Sequence, residues 1–281
     1  MLHRARGLNP VELQAIADLE TRTVAVDGGR LKLEWGSLRS RTGQTVEDLL
    51  WWDGDRLTGF LGIYSFGAPT VELAGMVDPH ARRRGIGTEL LDAARTLCRG
   101  RGYHPVLLVT SRDAEAGAAF ARSHGGTLQH SEHALVLSVP PADALSAVDV
   151  RLRPATDADA GRICELVAEG FGFAPADDGL RPSTDSARTM VVDVDGAALG
   201  TLRLTLDGSA GGIYGFVVDG AHRGRGIGRA ALSQACQMLR DRGANTVGLE
   251  VAVENEHALG LYTSLGFTPV TTEDYYALPG D

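Results

Sequence analysis

Lysine is almost missing from this sequence: Lys32 is the only one, and every other basic side chain is arginine. Such one-sided usage reads as the codon bias of a GC-rich genome rather than as a functional signal. Basic surface is also in short supply, because the formal net charge is −9. That argues against a general nucleic-acid binder, which must meet phosphate with positive charge. It leaves room for a local pocket that holds a small anion. Cysteine is scarce, and Cys98, Cys164 and Cys236 lie far apart in stretches that read as helix. None has a CxxC or metal-ligand spacing, so no metal is expected and free thiols in a reducing compartment are. No stretch approaches the ~20 apolar residues of a membrane span. The opening "MLHRARGLNPVELQAIADLE" has no apolar signal core. A cytoplasmic protein without a membrane partner is expected. At 281 residues and 43% hydrophobic content there is material for one or two ordinary globular cores.

What is plentiful is a repeated phrase. "ARRRGIGTELL" (81–91) returns as "HRGRGIGRAAL" (222–232), with Gly85 matching Gly226 at an offset of 141 residues. The surroundings repeat too. Apolar segments of β-type composition precede each copy, "VELAGMVDP" and "GIYGFVVDG". After each copy, apolar residues recur at helical spacing: Leu90, Leu91, Ala94 and Leu97, then Ala231, Leu232, Ala235 and Leu239. Both runs end in basic residues and glycine, as helix C-termini do. A strand and a second helical stretch follow in each half. Hairpins are predicted upstream, turning at Asp53-Gly54-Asp55 and near Asp195-Gly196. Two prolines mark residues 139–147 as a linker. A fresh strand and helix begin after it, with Thr156 or Asp157 as the cap. The reading is α/β: two tandem domains of one fold, residues 1–138 and 148–281, each a mixed, mostly antiparallel sheet flanked by helices.

The repeated phrase has the pattern Arg-x-x-Gly-x-Gly between a strand and a helix. Glycines there let successive N–H groups turn into one concavity at a helix N-terminus, which suits phosphate or pyrophosphate, and the arginines add charge. A tight turn with solvated arginines is the plainer alternative. The glycine spacing is not that of a dinucleotide-binding loop, and no Gly-Lys-Ser/Thr follows as in a Walker A loop.

Strand, Arg-x-x-Gly-x-Gly, helix, strand and then "N-x-x-A-x-x-L-Y-x-x-L-G-F" resembles the GNAT superfamily of acyl-CoA N-acyltransferases. The second half carries the whole pattern, through Asn255, Ala258, Leu261, Tyr262, Leu265, Gly266 and Phe267. The resemblance covers most of residues 150–278 and, less specifically, 48–137. It implies acetyl-CoA as cosubstrate, with Val217 and Val218 along the pantetheine arm. The amides of Arg223, Gly224, Arg225, Gly226, Ile227 and Gly228 would hold the pyrophosphate, and Asn255 would help hold the coenzyme arm or simply cap the last helix. In the first half it implies the same duty for Val77, Arg82, Arg83, Arg84, Gly85, Ile86 and Gly87. The second half also resembles, at motif level, enzymes that acetylate ribosomal-protein N-termini, although those have a single domain. The tandem arrangement with one working half resembles mycothiol synthases, in architecture alone.

Acetyl transfer to an amine needs a base for the ammonium proton, donors for the developing oxyanion and an acid for the departing thiolate. Glu250, on the strand after the second loop's helix, is the candidate base, directly or through a water; a salt-bridged surface glutamate is the alternative. Tyr262 is the candidate acid, or else an amphipathic core tyrosine. Backbone N–H groups of the Val217–Val218 strand are the candidate oxyanion donors. His257 is expected at the surface. Tyr275 and Tyr276 either line the acceptor pocket or form an ordinary edge-strand pair. Asp177 and Asp178, in the loop 171–187, hint at a cationic acceptor or are solvated charge.

Aligning Phe120 with Tyr262 puts Leu108 opposite Glu250 and Asp113 opposite Asn255. The first half then keeps the anion loop and lacks the groups for chemistry, with Glu72 as a base placed differently. The expected protein is an N-acetyltransferase acting on a small-molecule primary amine, as a monomer or homodimer, with its chemistry in the second half. A protein N-terminal acetyltransferase and a non-catalytic acyl-CoA-binding regulator are the competing readings.

Overall fold

The computed structural model describes residues 1–66, 69–138, 148–172 and 187–280. In chain order the elements are β1 (Leu2–Ala5), α1 (Pro10–Asp27), α2 (Trp35–Ser40), β2 (Asp48–Asp53), β3 (Arg56–Ser65), β4 (Val71–Val77), α3 (Ile86–Gly100), β5 (Val106–Ser111), α4 (Glu115–Ser123) and β6 (Thr127–Leu137). They continue as β7 (Arg151–Pro154), α5 (Ala160–Phe171), β8 (Ala187–Val194), β9 (Ala197–Asp207), β10 (Ala210–Val218), α6 (Ile227–Asp241), β11 (Thr246–Ala252), α7 (Glu256–Ser264) and β12 (Thr268–Ala277). Both hairpins form at the turns read from the sequence: Asp53 pairs with Arg56 and Val194 with Ala197. Asp195 (φ 54°) and Gly196 (φ 83°) both take the left-handed backbone that a two-residue hairpin turn demands. Thr156 and Asp159 form a capping box that leads into α5.

The chain divides into two compact units. One is Met1–Glu132 together with Thr271–Asp281; the other is His133–Val270. This differs in one respect from the boundaries read off the sequence. β6 ends in the second unit although it lies before residue 138, and most of β12 belongs to the first unit although it closes the chain. The cause is hydrogen bonding that sequence order does not show: β12 runs antiparallel to β5, from Glu273↔Ser111 to Ala277↔Leu107. The linker 139–147 lies outside the described residues.

In the first unit the strand order is β1-β2-β3-β4-β5-β12, antiparallel except for the parallel pair β4–β5. Side chains alternate along β3. Leu61 and Ile63 enter a core with Leu90 and Leu91 of α3, while Phe60 and Tyr64 enter one with Ile16 and Leu19 of α1. The second unit repeats this as β7-β8-β9-β10-β11, with β10–β11 the parallel pair. Its core joins Val247, Leu249 and Val251 of β11 to Ile227, Ala231, Ala235 and Leu239 of α6. Each leucine so buried contributes roughly 1.5–3 kcal/mol. No helix among the described residues is long and apolar enough to cross a membrane. The three cysteines are free, and burial pushes the thiol of Cys98 up to about 11 and that of Cys236 up to about 12.

Candidate active site

The site is built where each unit's two parallel strands part. β4 and β5 pair only from Val71↔Val106 to Leu73↔Leu108, and β10 and β11 only from Ala210↔Thr246 to Gly212↔Gly248. Beyond those pairs the strands continue without partnering each other, which leaves backbone N–H and C=O groups on their facing edges. Each first strand then ends in an aspartate, Asp78 or Asp219, whose side chain caps the turn entering the glycine loop. The His222 ring, with Nδ1 3.3 Å away, the Ala221 N–H and Arg162 hold the Asp219 carboxyl below the usual carboxylate range.

The loops end alike. Gly85 (φ 81°) and Gly226 (φ 84°) stand in the left-handed region as N-caps of α3 and α6, and neither helix has a side-chain cap. The contrast with α1 and α7, capped by Asn9 and Asn255, is plain. First-turn N–H groups without a side-chain partner are a ready anion site. A Cβ at Gly226 would meet no protein atom within 4 Å, so it would project into the open space at the loop. The loops differ one step earlier. Gly224 (φ 76°) takes a second left-handed position, where the first loop has Arg83 (φ 63°), a conformation that costs a non-glycine residue about 1 kcal/mol.

The first arginine of each phrase is tied back to its own strand. Arg223 Nε donates to the Val218 carbonyl at 2.9 Å, and Arg82 Nε to that of Val77 at 3.1 Å. Arg82 also grips Asp27 at 2.8 and 2.6 Å. Both tie the loop back onto its strand. Arg83, Arg84, Arg223 and Arg225 are exposed, with Arg84 3.5 Å from Asp53.

One element escaped the sequence reading. The β10–β9 register shifts between Tyr214 and Val217, so Gly215 and Phe216 together face the single residue Leu202. This is a β-bulge, which leaves an unpaired backbone group and bends the strand; Gly215 supplies φ 57°. β4 has no such bulge, since its register to β3 runs unbroken from Gly59↔Val77 to Ser65↔Val71. A glycine inside the apolar run "IYGFVV" was the available signal.

The element bounds correct the alignment of the halves. Before the bulge, Glu72 corresponds to Gly212, because Glu72 pairs with Leu107 and Gly212 with Gly248. After it the offset is 141, as the matched bounds of α4 and α7 show. Tyr262 therefore corresponds to Ala121, not Phe120; Glu250 to Val109, not Leu108; and Asn255 to Ala114, not Asp113. The first unit still lacks carboxylate, amide and phenol at these places. Phe120 instead packs by Gly87, where an added Cβ would lie 3.1 Å from its ring, and Leu261 takes the matching place by Gly228.

Glu250 is half-buried on β11, on the sheet face opposite Val247, Leu249 and Val251. Tyr262, 7% exposed, lies on the other face, in the α6–α7 core, with Phe267 edge-on at 6.1 Å. Burial alone pushes its phenol up to about 12, so it is protonated at neutral pH. Base and acid candidates thus flank the parted strands from opposite sides. Asn255 accepts from the Ala258 N–H at 3.1 Å and caps α7, the plainer of its two readings. His257 is exposed, as expected. Tyr275 and Tyr276 lie in the first unit, packed with Leu107 and Val109 and with the α3 core respectively. The acidic residues Asp177 and Asp178 lie outside the described residues.

Known proteins resemble the chain over both units. The acetyltransferase (GNAT) family model matches residues 17–125 and again 162–267. A mycothiol acetyltransferase of Catenulispora acidiphila is 31% identical over 252 residues, spanning 80% of this chain and 78% of the relative. One of Kytococcus sedentarius is 30% identical over 306 aligned positions, spanning 99% and 98%. Among solved structures, a GCN5-related N-acetyltransferase from Sphaerobacter thermophilus superposes with TM-score 0.77 at 20% identity, covering 100% of this chain and 97% of its own. A tandem GNAT protein from the clavulanic acid biosynthesis pathway superposes with TM-score 0.72 at 23% identity over the full length of both. At these identities the two structures speak to the fold alone.

Proposed function

The chain belongs to the GNAT family as a tandem-domain, acyl-CoA-dependent acetyltransferase, and we propose that it moves an acetyl group from acetyl-CoA to the primary amine of a small molecule, with the chemistry in residues 148–281. One observation carries this. Only the second unit combines an open helix N-terminus, a bulged strand and the Glu250/Tyr262 pair on either side of the strand gap. The names of the mycothiol acetyltransferase relatives support a small-molecule acceptor. The reading places the protein in the cytoplasm, as a monomer or homodimer, with no nucleic-acid or membrane partner.

In this reading the first-turn amides of α6 and the amides from Arg223 to Gly228 hold the coenzyme pyrophosphate, while Val217 and Val218 line its pantetheine arm. Glu250 takes the ammonium proton, directly or through a water, which frees the nitrogen lone pair to attack the thioester carbonyl. An unpaired amide of the bulge donates to the oxyanion. As the C–S bond breaks, Tyr262 gives its proton to the thiolate; the acylated nitrogen then sheds its second proton, which restores the phenol through solvent, and Glu250 releases the first to solvent. Release of coenzyme A thiol from acetyl-CoA, followed with a panel of small amines beside peptides with free N-termini, tests the reading. Turnover with a small amine supports it, and turnover confined to the peptides overturns it.

A direct consequence concerns the loop. Gly226→Val places a branched side chain in the open space before the helix and strains a left-handed position by about 1–2 kcal/mol. The Michaelis constant for acetyl-CoA is expected to rise about tenfold or more. Steady-state kinetics on the full chain check this, since an isolated second half would carry β12 away from its partner β5. An unchanged constant in a folded variant removes the loop from the cosubstrate site.

A further inference from the structure

The connection between α1 and α2 carries the chain's one lysine into a closed cluster of the first unit. Lys32 is 8% exposed, and its Nζ lies 3.4 Å from Glu72 and 3.8 Å from Glu132. It donates to the Tyr275 hydroxyl and stands 4.9 Å from the centre of the Tyr275 ring. Tyr275 in turn donates to Glu132 at 2.6 Å and stacks on His130 at 4.2 Å. An ammonium is kept out of water only where such partners replace its hydration. Two carboxylates and a phenol oxygen match three N–H donors and one positive charge.

The location gives the cluster its meaning. Val109 is the first unit's counterpart of Glu250, and Val109 packs beneath Tyr275. Glu72 stands on the neighbouring strand, where the second unit has only Gly212. On the sheet face where the second unit offers its candidate base, the first unit already holds an amine.

We propose that Glu72, Glu132 and Tyr275 form an ammonium-binding site in the first unit, filled by Lys32 as a built-in amine, and that a small primary alkylammonium enters it once that side chain is cut back. The functional consequence rests on the division of labour argued above: with this face filled from within, the first unit admits no outside amine and serves as a scaffold. The binding claim is independent, because its test reads heat stability rather than acetyl transfer.

Lys32→Ala is expected to lower Tm by about 5 °C or more, because it strands two half-buried carboxylates without their cation. Propylammonium, which restores the three missing carbons and the nitrogen, is expected at roughly 10 mM to recover at least half of that loss by mass action. The wild type, whose site is full, should move by no more than about 1 °C. Tetramethylammonium, a cation without N–H donors, should recover nothing. Adding Glu72→Gln and Glu132→Gln to Lys32→Ala should abolish the response to propylammonium. Should Lys32→Ala not fold unaided, refolding yield with and without propylammonium reads the same question, and recovery only with the amine supports the site. No response to propylammonium, or an equal response from the wild type or to tetramethylammonium, overturns it.

Discussion

Tyr262→Phe is expected to lower kcat by about 100-fold, the lower end of what positioned acid–base groups supply, while acetyl-CoA binding stays as it was. The substitution keeps the ring, its place in the core and its edge contact with Phe267, and removes only the hydroxyl. That hydroxyl is held as a neutral acid, because burial pushes it up to about 12. Ionisation of Tyr262 therefore leaves the alkaline side of the rate profile untouched until about pH 12. The variant's profile should keep the wild-type shape at a lower height. For stability the sign is equally fixed. A phenol whose folded value lies above its unfolded one stabilises the fold below pH ~10, and the gain fades as pH rises toward about 12. Phenylalanine cannot titrate, so that alkaline loss should vanish in the variant. Full turnover by Tyr262→Phe would leave Tyr262 a core residue.

Glu250→Gln should cost more at neutral pH, about 100- to 10,000-fold in kcat/KM for the amine. The amide keeps the size and half-buried position of the side chain on β11 and cannot accept the ammonium proton. An amine of ordinary basicity is then reactive only in its small free-base fraction. The deficit should accordingly shrink as pH rises toward the amine's own pKa, which a loss of binding alone would not produce. A deficit that is the same at every pH would make Glu250 a structural or binding residue.

Much of this was legible in the sequence because local rules and tertiary packing agree. The repeat at 81–91 and 222–232, the hairpin turns and the helical spacing of Leu90, Leu91 and Ala94 all appear as read. What escaped was non-local. The pairing of β12 with β5 depends on residues some 165 positions apart, such as Tyr275 and Val109, and nothing in "TTEDYYALPG" announces its partner. The bulge at Gly215 and Phe216 inserts one residue into one copy only, so no single offset aligns both sides of the site. Phe120 aligns with Leu261, not Tyr262, once the bounds of α4 and α7 are matched. The arginines looked like anion ligands by charge. Arg82 and Arg223 also donate Nε–H to strand-end carbonyls, a contact set by the turn geometry.

The central claim is that two similar loops serve different ends. Thiol release from acetyl-CoA, measured below saturation on folded Gly85→Val and Gly226→Val chains side by side, tests it most directly. Both substitutions strain a left-handed glycine that caps a helix, at φ 81° and 84°, so any general effect of the change is shared. Gly226→Val should lose at least about tenfold in rate while Gly85→Val keeps most of its activity. A loss in Gly85→Val as deep as in Gly226→Val would contradict it.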